Sequence, residues 1–196
     1  SLGQIVGANF VGSGSRMPYD RNWNDDNGHG THVAGLAAAN GNNGAGVVGV
    51  GSCVNIKIMP VKVLNAEGSG TSIEIDRGIK WAADHGADII NLSLGFASTG
   101  YRRSFRSALF DAVAAKDIVV FAASGNSGLR NGEGNKWHFP SSYDNVISVA
   151  ATDSEGRLTG FSNRGAKVDI AAPGNNVLAT TYNGSYGRMS GTSMAS

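Results

Sequence analysis

With 196 residues, 41% hydrophobic and 16% charged, the chain is long enough for one domain with a real core and too apolar for a disordered tail. Its 16 basic and 15 acidic residues leave a net charge of +1, and the densest basic cluster, Arg102, Arg103 and Arg106, reads as a solvated helix face, which argues against a nucleic-acid binder. The longest apolar run, Ile118 to Ala123, is far short of a membrane span, and the single cysteine, Cys53, excludes an internal disulfide and reads as a free, partly buried thiol.

In chain order, Ser1-Leu2-Gly3 opens a strand-like segment with no signal peptide, which reads as a processed or partial chain. Gly12 to Gly28 is a polar loop holding Asp20, Asp25 and Asp26. Gly30 to Ala39 is a short helix of small residues that must pack closely against a neighbour. Asn55–Val63 is the first long strand candidate. Thr71 to His85 follows with apolar residues at helical spacing (Ile73, Ile75, Ile79, Ala82, Ala83), and Thr71-x-x-Glu74 forms a capping box. Asp88–Ser93 is a strand; Tyr101 to Lys116 is a helix with Phe105, Leu109, Ala112 and Val113 on one side. Strands at Ile118–Ala123, Val146–Ala151 and Val177–Tyr182 complete the pattern, with a Gly- and Asn-rich loop at Ser127 to His138. Alternating strands and helices predict an α/β domain with a mostly parallel sheet.

Three segments carry chemistry. In Asp26-Asn27-Gly28-His29-Gly30-Thr31-His32-Val33-Ala34-Gly35, His29 falls where a loop becomes a helix, with glycines giving access on both sides of the ring, as a general base needs. Alone it is more simply a capping histidine. In Ser190-Gly191-Thr192-Ser193-Met194-Ala195-Ser196, Ser193 sits at a helix start, where a backbone N–H can face a bound carbonyl oxygen; alone it is more simply a cap. In Ser124-Gly125-Asn126-Ser127-Gly128, Asn126 projects from the carboxyl end of a buried strand, where open α/β sheets place their sites; alone it is a turn asparagine.

Together and in this order the segments resemble the subtilisin-like serine peptidases, the subtilases. His-Gly-Thr-His-Val-Ala-Gly and Gly-Thr-Ser-Met-Ala match that family's His and Ser signatures, and Ser-Gly-Asn-x-Gly its oxyanion segment. Asn91-Leu92-Ser93-Leu94-Gly95 and Gly68-Ser69-Gly70 match the strands lining its substrate cleft, and Pro140 matches a proline usually held in a cis bond. The resemblance runs from about Gly3 to Ser196 and implies a three-layer α/β fold with a mostly parallel central sheet flanked by helices. It further implies a secreted, monomeric serine endopeptidase acting on polypeptides, with neither nucleic acid nor membrane as partner. Ser193 would be the nucleophile, His29 its base, and Asn126 with the Ser193 N–H the oxyanion donors. Ser93, Leu94, Gly95, Gly125 and Gly68 to Gly70 would bind substrate, largely through backbone pairing, which implies broad specificity. His138 and the loop before it would border the primary specificity pocket. No cofactor is implied for catalysis. Calcium is implied at the loop after the first helix, with Asn43 and carbonyls at Gly41, Ala45 and Val47 as ligands and an acidic ligand from upstream.

The family also uses an Asp in an Asp-Ser/Thr-Gly segment ahead of the His, and the chain contains no such segment. Asp20, Asp25 and Asp26 lie too close to His29 and lack the motif. The expectation is a partial catalytic domain, lacking that strand and the part after the Ser signature, and inactive by itself. A non-catalytic homologue acting as a binding module is the alternative; an upstream Asp-Ser/Thr-Gly would decide for the enzyme.

Other motifs carry less. Gly44-Ala45-Gly46-Val47-Val48-Gly49 fits G-x-G-x-x-G, but a helix precedes it and no helix follows, so it reads as a turn. His29 and His32 lie three apart on one helix face, but the zincin pattern is absent and no third ligand is placed; the resemblance implies that His32 is a buried helix residue. Ser193 lacks the G-x-S-x-G elbow of the α/β-hydrolases. Asn183-Gly184-Ser185 is a glycosylation sequon, meaningful only in a eukaryotic secretory host.

Overall fold

The computed structural model describes residues 7–12, 20–98 and 105–196. It divides into two compact units, Ser1–Ala87 with Leu178–Gly187, and Asp88–Val177 with Arg188–Ser196.

In the first unit, β1 (Ala8–Asn9) pairs in parallel with β2 (Val61–Lys62). Ala8, Phe10 and Trp81 are the buried centre, with Met59, Val61 and Val63 packed on it and the Phe10 and Trp81 rings meeting edge-on at 6.4 Å. Helix α1 (His29–Ala38) is backed as closely as its small residues require. A Cβ on Gly35 would collide with the Thr180 hydroxyl, which itself donates to the Thr31 carbonyl at 2.9 Å. Helix α2 (Ser72–Asp84) starts on the expected capping box: Glu74 N–H donates to Thr71 Oγ1 at 3.3 Å, and Thr71 N–H to Glu74 Oε2 at 2.8 Å. The other Glu74 oxygen accepts the Gly12 N–H at 2.7 Å, tying the strand exit to the helix start.

The expected strand Asn55–Val63 contracts to Val61–Lys62, because only there does a partner supply a ladder; Ile56 and Ile58 remain 43% and 39% exposed. Cys53 is free but exposed, not partly buried: it lies in a turn at 51–53 rather than under the core.

The second unit is built on a four-stranded sheet of order β3-β5-β7-β8, parallel throughout: β3 (Ile89–Leu92), β5 (Val119–Ala123), β7 (Ile147–Thr152) and β8 (Ile170–Pro173). Central β7 is buried at all four inner positions, as a strand covered on both faces should be. Strand β4 (Phe96–Ser98) pairs antiparallel with β6 (Trp137–Phe139); β9 (Val177–Thr180), which falls mostly within the first unit, pairs with β10 (Tyr186–Met189). Helix α3 (Phe105–Ala114) packs on β5, and α4 (Thr192–Ala195) on β5, β7 and β8. The expected first turn of α3, Tyr101 to Ser104 with Arg102 and Arg103, lies outside the described residues. Among the described side chains of α3, Phe110 and Val113 are buried and Ala112, expected on the same side as Val113, is exposed; the Phe105 side chain lies outside those described. The Phe139–Pro140 bond is cis.

Candidate active site

His29 lies in the first unit as the first residue of α1. Gly28 before it has φ +102°, a left-handed conformation that suits glycine, and a Cβ there would press on the Tyr182 ring at 2.8 Å. The start of the helix is organised by Asp25. One carboxylate oxygen accepts Asn27 N–H at 2.9 Å and Gly28 N–H at 2.8 Å; the other accepts Thr31 N–H at 2.8 Å and Thr31 Oγ1–H at 2.5 Å. Partial burial works against this charge, yet the four hydrogen bonds outweigh it and draw the Asp25 carboxyl down to about 2. Asp26 pairs with Lys62, and Asp20 accepts the Asn22 N–H at 3.0 Å. The three loop carboxylates are thus engaged elsewhere, and among the described residues none hydrogen-bonds the imidazole of His29. Burial pushes the His29 pKa below its usual 6.5, the Asp25 charge partly restores it, and His32 lowers it further. His32 is buried as expected, with Nε2 3.1 Å from the Gly187 carbonyl.

Ser193 and Asn126 lie in the second unit and share a common fastening, Thr192. Asn126 Oδ1 accepts two hydrogen bonds, from Thr192 N–H at 2.8 Å and from Thr192 Oγ1–H at 2.9 Å. A backbone N–H can only donate, so it fixes the amide oxygen inward, and the Asn126 NH2 projects the other way. Thr192 Oγ1 in turn accepts the Gly125 N–H at 3.1 Å. Ser193 is the second residue of α4, so its N–H has no acceptor within the helix. Its hydroxyl donates to the Ser93 carbonyl at 3.2 Å, while Ser93 Oγ donates to the Ser193 carbonyl at 2.8 Å. Thr192 was not singled out by the sequence; its adjacency to Ser193 was the available signal.

Ser93, Leu94 and Gly95 leave β3 as a segment outside any ladder, with Gly95 exposed. Gly125 is buried, its N–H spent on Thr192 and its carbonyl accepting the Asn163 N–H at 2.8 Å. It therefore has no N–H to offer a ligand. His138 is packed between the two: a Cβ on Gly95 would meet its ring, and one on Gly125 would meet Cδ2 at 2.6 Å. Burial drives the His138 pKa down to about 4, with a hydrogen bond to the Ala123 backbone opposing it.

In the first unit, Gly68, Ser69 and Gly70 are exposed beyond a turn closed by Gly68 N–H to the Asn65 carbonyl at 2.9 Å. Gly70 lies against the Val63 carbonyl too closely for any Cβ. In the loop 41–47, Asn43 Oδ1 accepts the Ala45 N–H at 3.1 Å. Its donors are all oxygens, which suits calcium, but Asn43 gives the sole side-chain oxygen among the four expected ligands. Among the described residues no group of three or more His, Cys, Asp or Glu gathers to hold a metal. Asn183 is exposed on the turn between β9 and β10.

A family model described as the subtilase family matches residues 7–196, and the chain belongs to that family. Among its relatives, subtilisin DY of Bacillus licheniformis is 44% identical over 194 residues, covering 98% of this chain and 65% of the relative. The thermophilic serine proteinase of Bacillus sp. (strain AK1) is 45% identical over 172 residues, 88% of this chain and 40% of the relative. Of solved structures, Sphericase superposes with a TM-score of 0.81 at 33% identity, and the S41 psychrophilic protease with 0.79 at 34%; each covers 96% of this chain and 65% of the other. The fold is therefore the α/β fold of subtilisin-like proteases, and the chain spans about two thirds or less of the length of these relatives.

Proposed function

We propose that the chain is the greater part of the catalytic domain of a secreted serine endopeptidase that hydrolyses peptide bonds through an acyl-enzyme. The observation that carries this reading is the Thr192 fastening: a serine hydroxyl at a helix start, and beside it an asparagine whose NH2 is turned outward by two donors on its oxygen. An amide held that way is a preorganised donor for an oxyanion.

In this reading Ser193 Oγ leaves the Ser93 carbonyl and attacks the scissile carbonyl carbon while His29 takes its proton. The carbonyl oxygen gains the negative charge and is held by Asn126 Nδ2–H and the Ser193 N–H. The C–N bond then breaks, His29 returns the proton to the leaving amine, and a water activated by His29 hydrolyses the ester. Within these residues burial outweighs the Asp25 charge and holds the His29 pKa below 6.5, favouring the neutral form a base requires. Ser93 to Gly95 and Gly68 to Gly70 would receive the substrate backbone as added strands, giving broad specificity, with Gly125 and His138 behind the cleft. The third triad member, an Asp, would come from an Asp-Ser/Thr-Gly segment that the 196 residues do not contain, so these residues alone are proposed to be inactive.

A structural calcium at Gly41, Asn43, Ala45 and Val47 belongs to the same proposal, completed by a carboxylate from outside that loop. Polypeptides are the proposed substrates of a monomer without nucleic-acid or membrane partners; no described helix is long and apolar enough to cross a membrane. The test is to express the complete gene and treat the protein with a fluorophosphonate probe. Labelling is expected, and Ser193→Ala should abolish it. Labelling that persists in that variant assigns the nucleophile elsewhere; none in the parent protein favours a non-catalytic homologue.

A further inference from the structure

We infer that Asn163 is a positioning residue for the oxyanion donor: its buried amide pins the chain on both sides of Asn126 and so fixes where that side chain is presented. The inference rests on the proposed peptidase reading, in which Asn126 stabilises the oxyanion.

Asn163 follows Ser162 in the loop between β7 and β8 and is 0% exposed. A primary amide has two acceptor sites and two donor hydrogens, and here all four are used. Oδ1 accepts Ser127 N–H at 3.1 Å and Leu129 N–H at 2.9 Å. Nδ2 donates to the Ser124 carbonyl at 2.8 Å and to Asn131 Oδ1 at 3.2 Å. The orientation is not ambiguous, because two backbone N–H groups demand the oxygen and a backbone carbonyl demands the nitrogen. The Asn163 backbone adds a bond on the same stretch, its N–H donating to the Gly125 carbonyl at 2.8 Å.

Every one of these partners except Asn131 lies within three residues of Asn126, two before it and two after. Asn131 itself donates to the same Ser124 carbonyl at 2.8 Å, so it serves as a brace for Asn163. The stretch has no regular structure of its own, and both Gly125 (φ +105°) and Gly128 (φ +63°) are left-handed. Gly125 has no room for a side chain because Asn163 Nδ2 and the His138 ring occupy the place of a Cβ. Thr192 sets the direction of the Asn126 amide; Asn163 sets the backbone from which that amide is hung. These are separate constraints on one donor, and an oxyanion donor loses its value if displaced by a fraction of a hydrogen-bond length.

The experiment is a double-mutant cycle in the protein expressed from its complete gene, with kcat normalised to active sites titrated with a fluorophosphonate so that misfolded molecules drop out. Asn163→Ala should lower kcat roughly ten- to a hundredfold, short of the full loss of a donor, with KM changed less than about threefold. In the Asn126→Ala background the same substitution should change kcat by less than about threefold, because no donor remains to be misplaced. Should Asn163→Ala not accumulate, Asn163→Ser, which retains a small hydrogen-bonding group, is read in the same cycle. Equal kcat losses in both backgrounds, or a rise in KM with kcat unchanged, overturn the positioning role. Asn126→Ala with undiminished kcat would instead overturn the oxyanion reading on which the role depends.

Discussion

Asp25 spends one carboxylate oxygen on the backbone before His29 and the other on Thr31 after it, so its effect on that imidazole is electrostatic, transmitted without contact. Its negative charge favours the protonated imidazole and raises the His29 pKa against the pull of burial. Asp25→Asn removes the charge but retains an oxygen able to cap the helix, so the His29 pKa should fall further. The acid limb of kcat/KM should then move to lower pH, since a weaker base stays neutral at lower pH. A pH profile of the variant beside the parent checks this, and a limb that stays in place or moves upward contradicts it. The Asp25 carboxyl itself falls from 3.8 to about 2 in the folded chain, so its stabilisation is complete above 3.8 and is lost as pH falls through 2. His138 has a different consequence. Its pKa falls from 6.5 to about 4 on folding, so the unfolded chain binds the proton first as pH drops. Stability should decline between 6.5 and 4 and level off below, by at most about 3 kcal/mol. Urea titrations across that range measure the decline, and His138→Gln should flatten it; an unchanged slope in the variant would place the titrating group elsewhere.

At the scale of elements, α2 was the most legible feature, because its start is written in four consecutive residues. Thr71 and Glu74 satisfy one another's N–H groups, and Glu74 reaches on to Gly12. Thr71→Ala should cost about 1 kcal/mol in denaturant unfolding with little change in kcat; a loss within error would mean that Glu74 alone suffices as the cap. The strand at Asn55–Val63 was over-read because alternation reports which faces are apolar and says nothing about whether a neighbour supplies hydrogen bonds. The same limit applies to α3, where the expected side held Ala112 and Val113 together, yet Val113 is buried beside Phe110 and Ala112 is exposed.

For the molecule as a whole, the family signatures were readable because each is a run of contiguous residues whose order along the chain is itself informative. His29, Ser193 and Asn126 could be singled out in that way. The supports around them were not, since they come from distant positions with ordinary composition. Phe161-Ser162-Asn163-Arg164-Gly165 reads as a polar surface turn, yet Ser162 and Asn163 are fully buried. Burial of a polar side chain depends on what partners the fold brings to it, and those of the Asn163 side chain lie 32 to 39 residues away. Cys53 failed in the opposite sense: a residue type usually found inside lies on an exposed turn.

Thr192 stands next to Ser193 in the chain and grips Asn126 with two hydrogen bonds. In the proposed mechanism the attacking oxygen and the stabilising nitrogen are therefore mounted on the same piece. When the start of α4 moves, both move with it, and a displacement common to the two cancels from the distance between them. Thr192 thus limits the relative movement of the two groups, while Asn163 limits that of the backbone carrying Asn126.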